Sequence, residues 1–134
     1  MRRLRRTGAL TAALLVVSGL TAAPASAAAN SNEAALLKRV ADQCESGAIC
    51  FWEENDYEGS HWSWSPTNGY RNLPPYLHDN VGSFYANAAG CFIDWGENQE
   101  FRRVAVGDYS KAYKAGGKFG SRIDAVNKIG DCHP

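Results

Sequence analysis

The sequence predicts an all-β domain: a two-sheet antiparallel sandwich of two Greek keys, preceded by a short N-terminal helix. Three observations carry that expectation. After Cys44 the chain is a succession of short runs rich in aromatic and β-branched residues, the types that suit a pleated, half-buried surface. Clusters of Gly, Pro, Asn and Asp punctuate those runs. A weak repeat with a period of about 41 residues divides the region into two similar halves.

Before the domain comes a leader. "MRRLRR" is basic, Gly8 to Ala23 is apolar and rich in small residues, and "PASA" ends at Ala27 in an alanine-x-alanine pattern. That order reads as a secretory signal peptide over residues 1–27, cut after Ala27 or Ala29. The apolar run is short for a membrane span. Removing it takes away Arg2, Arg3, Arg5 and Arg6 from a chain with 14 basic and 14 acidic residues, so the mature balance becomes about −4. An acidic chain without a Lys/Arg run lacks the patch that nucleic acid or an anionic membrane rewards. Neither is expected as a partner.

The remaining chain of about 107 residues has the length of one domain, here residues 44–134 behind a helix. "NSNEAALLKRVADQ", residues 30–43, predicts that helix: Ser31 or Asn32 can cap it, Glu33 suits its first turn, and Leu36, Leu37, Val40 and Ala41 recur on one face. All four cysteines, Cys44, Cys50, Cys91 and Cys132, lie beyond the leader, and an even count in an exported chain reads as two disulfides. Of three possible pairings, the local one joins Cys44 to Cys50 and Cys91 to Cys132. On a chain-entropy estimate such loops contribute about 2.4 and about 4 kcal/mol. No paired Cys/His spacing suggests zinc.

"AICFWE", "HWSWS", "GSFYAN", "GCFIDW", "EFRRVAV" and "IDAVNKI" read as strands, in that order. "ENDYEG", "PTNGY", "NLPPYLHDN", "WGENQ" and "KAGGKFG" connect them, and Pro74–Pro75 excludes a central strand there. The halves of the repeat run from Gly47 to Phe84 and from Ala89 to Val126; each opens on Cys-Phe and reaches a Gly-Ser segment.

Within "WEENDYEG", Trp52, Tyr57 and Gly59 have the spacing of the Greek-key signature of βγ-crystallins, in which a folded bend lays an aromatic over the sheet. With the leader, the size and the four cysteines, the chain resembles the crystallin-fold bacterial peptidase inhibitors typified by the Streptomyces metalloproteinase inhibitor. The second half departs from the signature, placing Ile93, Asn98 and Glu100 where Trp52, Tyr57 and Gly59 stand in the first.

The resemblance implies a monomeric, secreted, extracellular inhibitor of a protease, probed first as a thermolysin-like metalloprotease, acting through a rigid disulfide-anchored loop. In "NAAGCFID" it implies Cys91–Phe92 as the offered bond, although Phe92 also mirrors Phe51 as a core strand residue. It further implies calcium as a weak ligand: "DNVGSF" supplies Asp79, Asn80 and Ser83, with Phe84 in place of a second serine. The alternative is a crystallin-type calcium- or glycan-binding structural or toxin-like module without protease inhibition. No catalytic residue is expected, since the chain has no nucleophile elbow and no His-Glu-x-x-His. Glu53, Glu54, Asp56 and Glu58 crowd one small bend and read as a solvated turn.

Overall fold

The computed structural model describes residues 25–132. The leader expected at residues 1–27 lies outside them except for its last three positions. The helix α1 spans Ala25–Gln43, five residues earlier than the capping pattern predicts. Ser31 does not cap it: its hydroxyl donates to Ala28 O at 2.8 Å within the helix. The alanines before Asn30 are strong helix formers and extend the element across both expected cleavage points.

Eight strands follow: β1 Ile49–Trp52, β2 His61–Trp64, β3 Arg71–Asn72, β4 Ser83–Ala86, β5 Gly90–Asp94, β6 Glu100–Val104, β7 Tyr109–Ser110 and β8 Ala125–Asn127. They form two four-stranded antiparallel sheets, ordered β2-β1-β4-β7 and β3-β8-β5-β6. Each half of the repeat thus gives three strands to one sheet and lends one to the other: β3 crosses to the second sheet and β7 to the first. This exchange interlocks two Greek keys into one body. The two loans are matched by equivalent backbone bonds, Tyr113 N–H to Gly82 O at 2.6 Å and Leu73 N–H to Asp124 O at 2.9 Å.

The period-2 alternation of β1 sets the layers. Ile49 and Phe51 point into the core between the sheets, with Trp64, Phe84, Phe92, Val126 and Ile123. Cys50 and Trp52 point outward, where Val40, Leu36 and Leu37 of α1 cover them. β1 is therefore buried on both faces, which explains its unbroken apolar run. The Cys44–Cys50 disulfide ties the end of α1 to β1, and Asn87 Nδ2 donates to Cys44 O at 2.7 Å beside it.

Phe92 lies at the centre, its ring 5.1 Å from Phe51 and 5.0 Å from Phe84. Phe92→Ala should lower unfolding stability by about 3–5 kcal/mol, the usual cost of emptying a buried aromatic site. Denaturant unfolding of the disulfide-intact protein reads this directly; a change under 1 kcal/mol would place the ring outside the core.

Candidate functional site

Cys91 and Phe92, the bond expected on a loop, occupy the middle of β5 instead. Phe92 is 0% exposed, and it pairs with Arg102 on β6 and Val126 on β8. A protease could reach that bond only after β5 left its sheet. The physical reason is alternation: Phe92 has the inward phase of Phe51, and a side chain of that phase belongs to the core.

The Cys91–Cys132 disulfide does, however, anchor exposed chain on its other side. β5 pairs Gly90 with Val104 and Cys91 with Asn127, so the segments after β6 and β8 both leave from the Gly90 end. After β6, residues 105–108 form a tight turn. Asp108 Oδ2 accepts the Ala105 N–H at 2.8 Å, Gly107 N–H donates to Ala86 O at 2.7 Å, and Ala86 N–H donates to Asp108 O at 2.9 Å. Val106 stands at its tip, 69% exposed. After β8, Asp131 N–H closes a turn on Lys128 O at 2.9 Å, and Asn127 Nδ2 donates to Asp131 O at 2.9 Å. Ile129, 43% exposed, is held there between β8 and the disulfide. Sequence reasoning passed over both residues, although Gly107–Asp108 and Gly130–Asp131 mark turns.

The signature residues build the bend between β1 and β2. Tyr57 is buried with its ring edge-on to Trp52 at 5.3 Å. Its backbone is left-handed at φ +62°, as is Asp56 at +56°, and Gly59 sits at +81°. Buried Ser83 fixes this geometry, accepting the Tyr57 N–H at 2.9 Å and donating to Glu54 O at 2.7 Å. Burial pushes the Tyr57 phenol well above its ordinary range, and no hydrogen-bond partner faces its hydroxyl among the described residues.

The residues named for calcium do not converge. Ser83 Oγ serves the bend, Asn80 Oδ1 accepts from Lys114 Nζ at 2.9 Å, and Asp79 pairs with His78 Nδ1 at 3.3 Å. Their oxygens face three different partners, so these residues do not fit a shared calcium ion. Asp79 borders a separate open cleft of about 480 Å³ lined also by Asp94, Glu97, Asn98, Glu100 and Arg122. Beside it Asp124, nearly buried, accepts the Trp95 N–H at 2.6 Å and meets His78 Nε2 at 3.0 Å.

Known proteins complete the picture. Residues 38–98 match the model of peptidase inhibitor family I36. A gerABC family protein of Dictyostelium discoideum is 39% identical over 84 residues, 63% of this chain and 73% of that protein. Spore germination protein 1 of the same organism is 28% identical over 80 residues, 60% of this chain and 62% of that protein, so the chain spans less than two thirds of its length. A solved structure concerning the evolution of the eye lens βγ-crystallin domain fold superposes with TM-score 0.45 at 16% identity, covering 61% of this chain and 84% of that one. Two Greek keys that exchange strands make this a double Greek-key domain of crystallin type. The chain belongs to the family of that gerABC relative, and over residues 38–98 it is similar to peptidase inhibitor family I36. Among the described residues no helix is long and apolar enough to cross a membrane.

Asp124 gives the site a pH signature. Burial raises its carboxyl above the ordinary value, opposed by the Trp95 N–H and by His78. A raised folded value means that folding disfavours the ionised form, so this group's contribution to stability falls as pH rises from the ordinary carboxyl range through the raised one. Compared with Asp124→Asn, the wild type should lose unfolding free energy across that window and run parallel above it. Urea melts at stepped pH measure the difference; a wild type that gains on the variant with rising pH would contradict the burial argument.

Proposed function

We propose that the protein is an exported, monomeric inhibitor of an extracellular protease, with a thermolysin-like metalloprotease as its target. The match of residues 38–98 to peptidase inhibitor family I36 supports the protease as partner, and the paired cysteines suit an oxidising compartment. One observation carries the choice of surface: Val106 and Ile129 are presented on turns tied by backbone bonds at the end braced by Cys91–Cys132. Cys91 then acts as the tether and not as part of the offered bond. An apolar side chain on prearranged backbone loses little entropy on docking and suits the hydrophobic pocket of a thermolysin-like enzyme.

The glycan-binding alternative has its own support. The rings of Tyr70 and Trp95 lie 6.2 Å apart, and Trp95 Nε1 donates to Tyr70 Oη at 2.9 Å, next to the acid-lined cleft. Aromatic pairs beside polar groups are suited to sugar faces.

Residual activity of a panel of secreted metallo- and serine proteases separates the readings. The wild type should titrate a thermolysin-like enzyme stoichiometrically, and Val106→Asp with Ile129→Asp should weaken inhibition by about 30-fold or more, the scale of losing a binding hot spot. Undiminished potency in the folded double variant would move the contact surface elsewhere. Unchanged protease rates with wild type would end the inhibitor reading.

A further inference from the structure

The exchange of strands makes positions of the two halves equivalent. Gly82 N–H donates to Trp52 O at 2.9 Å in the first unit, and Asp124 N–H donates to Ile93 O at 2.8 Å in the second. By the same offset Glu53 corresponds to Asp94, and Asn80 corresponds to Arg122. At both places a basic side chain closes the bend after the unit's first strand.

In the first unit Lys114 Nζ donates to Glu53 O at 2.7 Å and to Asn80 Oδ1 at 2.9 Å, with Glu54 Oε2 at 3.6 Å. Lys114 comes from the segment after the borrowed strand β7, so its ammonium joins the two halves. In the second unit the Arg122 guanidinium reaches Glu100 Oε2 at 3.0 Å and Asp94 Oδ2 at 3.8 Å. A carbonyl, an amide oxygen and a carboxylate converging on one point form a cradle for a cation. Here the cation is covalently part of the chain.

We propose that Lys114 and Arg122 are tethered cations that hold the two bends closed in place of a metal ion, making the domain calcium-independent by construction. The Lys114 ammonium repels a second cation while it stays. Its removal leaves Glu53 O, Asn80 Oδ1 and the Glu54 carboxylate facing one another, a cluster that a calcium-class ion with added waters can bridge. The cradle is distinct from the Val106–Ile129 surface and holds whether or not the chain inhibits a protease.

Thermal unfolding of the disulfide-intact chain, in calcium and in chelator, tests this for wild type, Lys114→Met and Lys114→Arg. Methionine keeps an apolar stem without the charge, and arginine keeps the charge. Wild type and Lys114→Arg should melt at the same temperature in both conditions. Lys114→Met should melt lower in chelator and recover by about 4 °C or more in calcium. A wild type that calcium stabilises as much as the variant would overturn the proposal. So would a Lys114→Met protein that calcium neither stabilises nor restores to the folded state.

Discussion

The hydroxyl of Ser83, buried between the end of β1 and the bend above it, accepts the Tyr57 N–H and donates to Glu54 O. These two bonds hold a piece of backbone that would otherwise not persist, because Asp56 and Tyr57 both adopt left-handed conformations that cost on the order of 1–3 kcal/mol each. The chain reaches the serine only because Gly82 lacks a side chain: a Cβ there would lie 2.3 Å from the Glu54 carbonyl carbon. Once the bend is down, Tyr57 covers Trp52, and α1 packs on that pair. Asp56 N–H also donates to Lys111 O at 2.8 Å, so the segment after β7 is fastened to the same bend. The Ser83 hydroxyl therefore fixes the bend, while the Cys44–Cys50 disulfide separately ties α1 to the same face.

The second unit solves the same geometric problem with different chemistry. It has no serine at the equivalent of Ser83, where Ala125 stands, and uses the Asp124 carboxylate at the neighbouring position to hold the Trp95 N–H. A carboxylate in a nearly buried place is harder to accommodate than a hydroxyl, which is why burial raises its proton affinity and why His78 sits against it. The first unit keeps the neutral solution, and the second trades it for a charged network at the rim of the acidic cleft.

Legibility in the sequence followed the strength of the local pattern. The six longer strands were readable because aromatic and β-branched residues are concentrated in them. β3 and β7, the exchanged strands, were not: Arg71–Asn72 and Tyr109–Ser110 carry no β pattern and exist because tertiary pairing finds them. The Gly-Ser repeat misled in the second half, where Gly120–Ser121 lies four residues before the position equivalent to Gly82–Ser83. Phe92 was read both as a core residue and, through resemblance, as the offered side chain; its alternation phase was the better guide. The exposure of Val106 and Ile129 was not legible, because it depends on which end of a sheet a turn leaves. Lys114 was hidden because its partners, Glu53 and Asn80, are 61 and 34 residues away.

Rigidity at the disulfide-braced end and closure of the first bend are thus separate provisions within one interlocked domain. The most direct check on the account is amide hydrogen exchange at Tyr57 in the wild type and in Ser83→Ala. The account predicts strong protection in the wild type, and in the variant fast exchange at Tyr57 while amides of β5 stay slow. A Tyr57 amide equally protected in both proteins would mean that something other than the serine hydroxyl holds the bend.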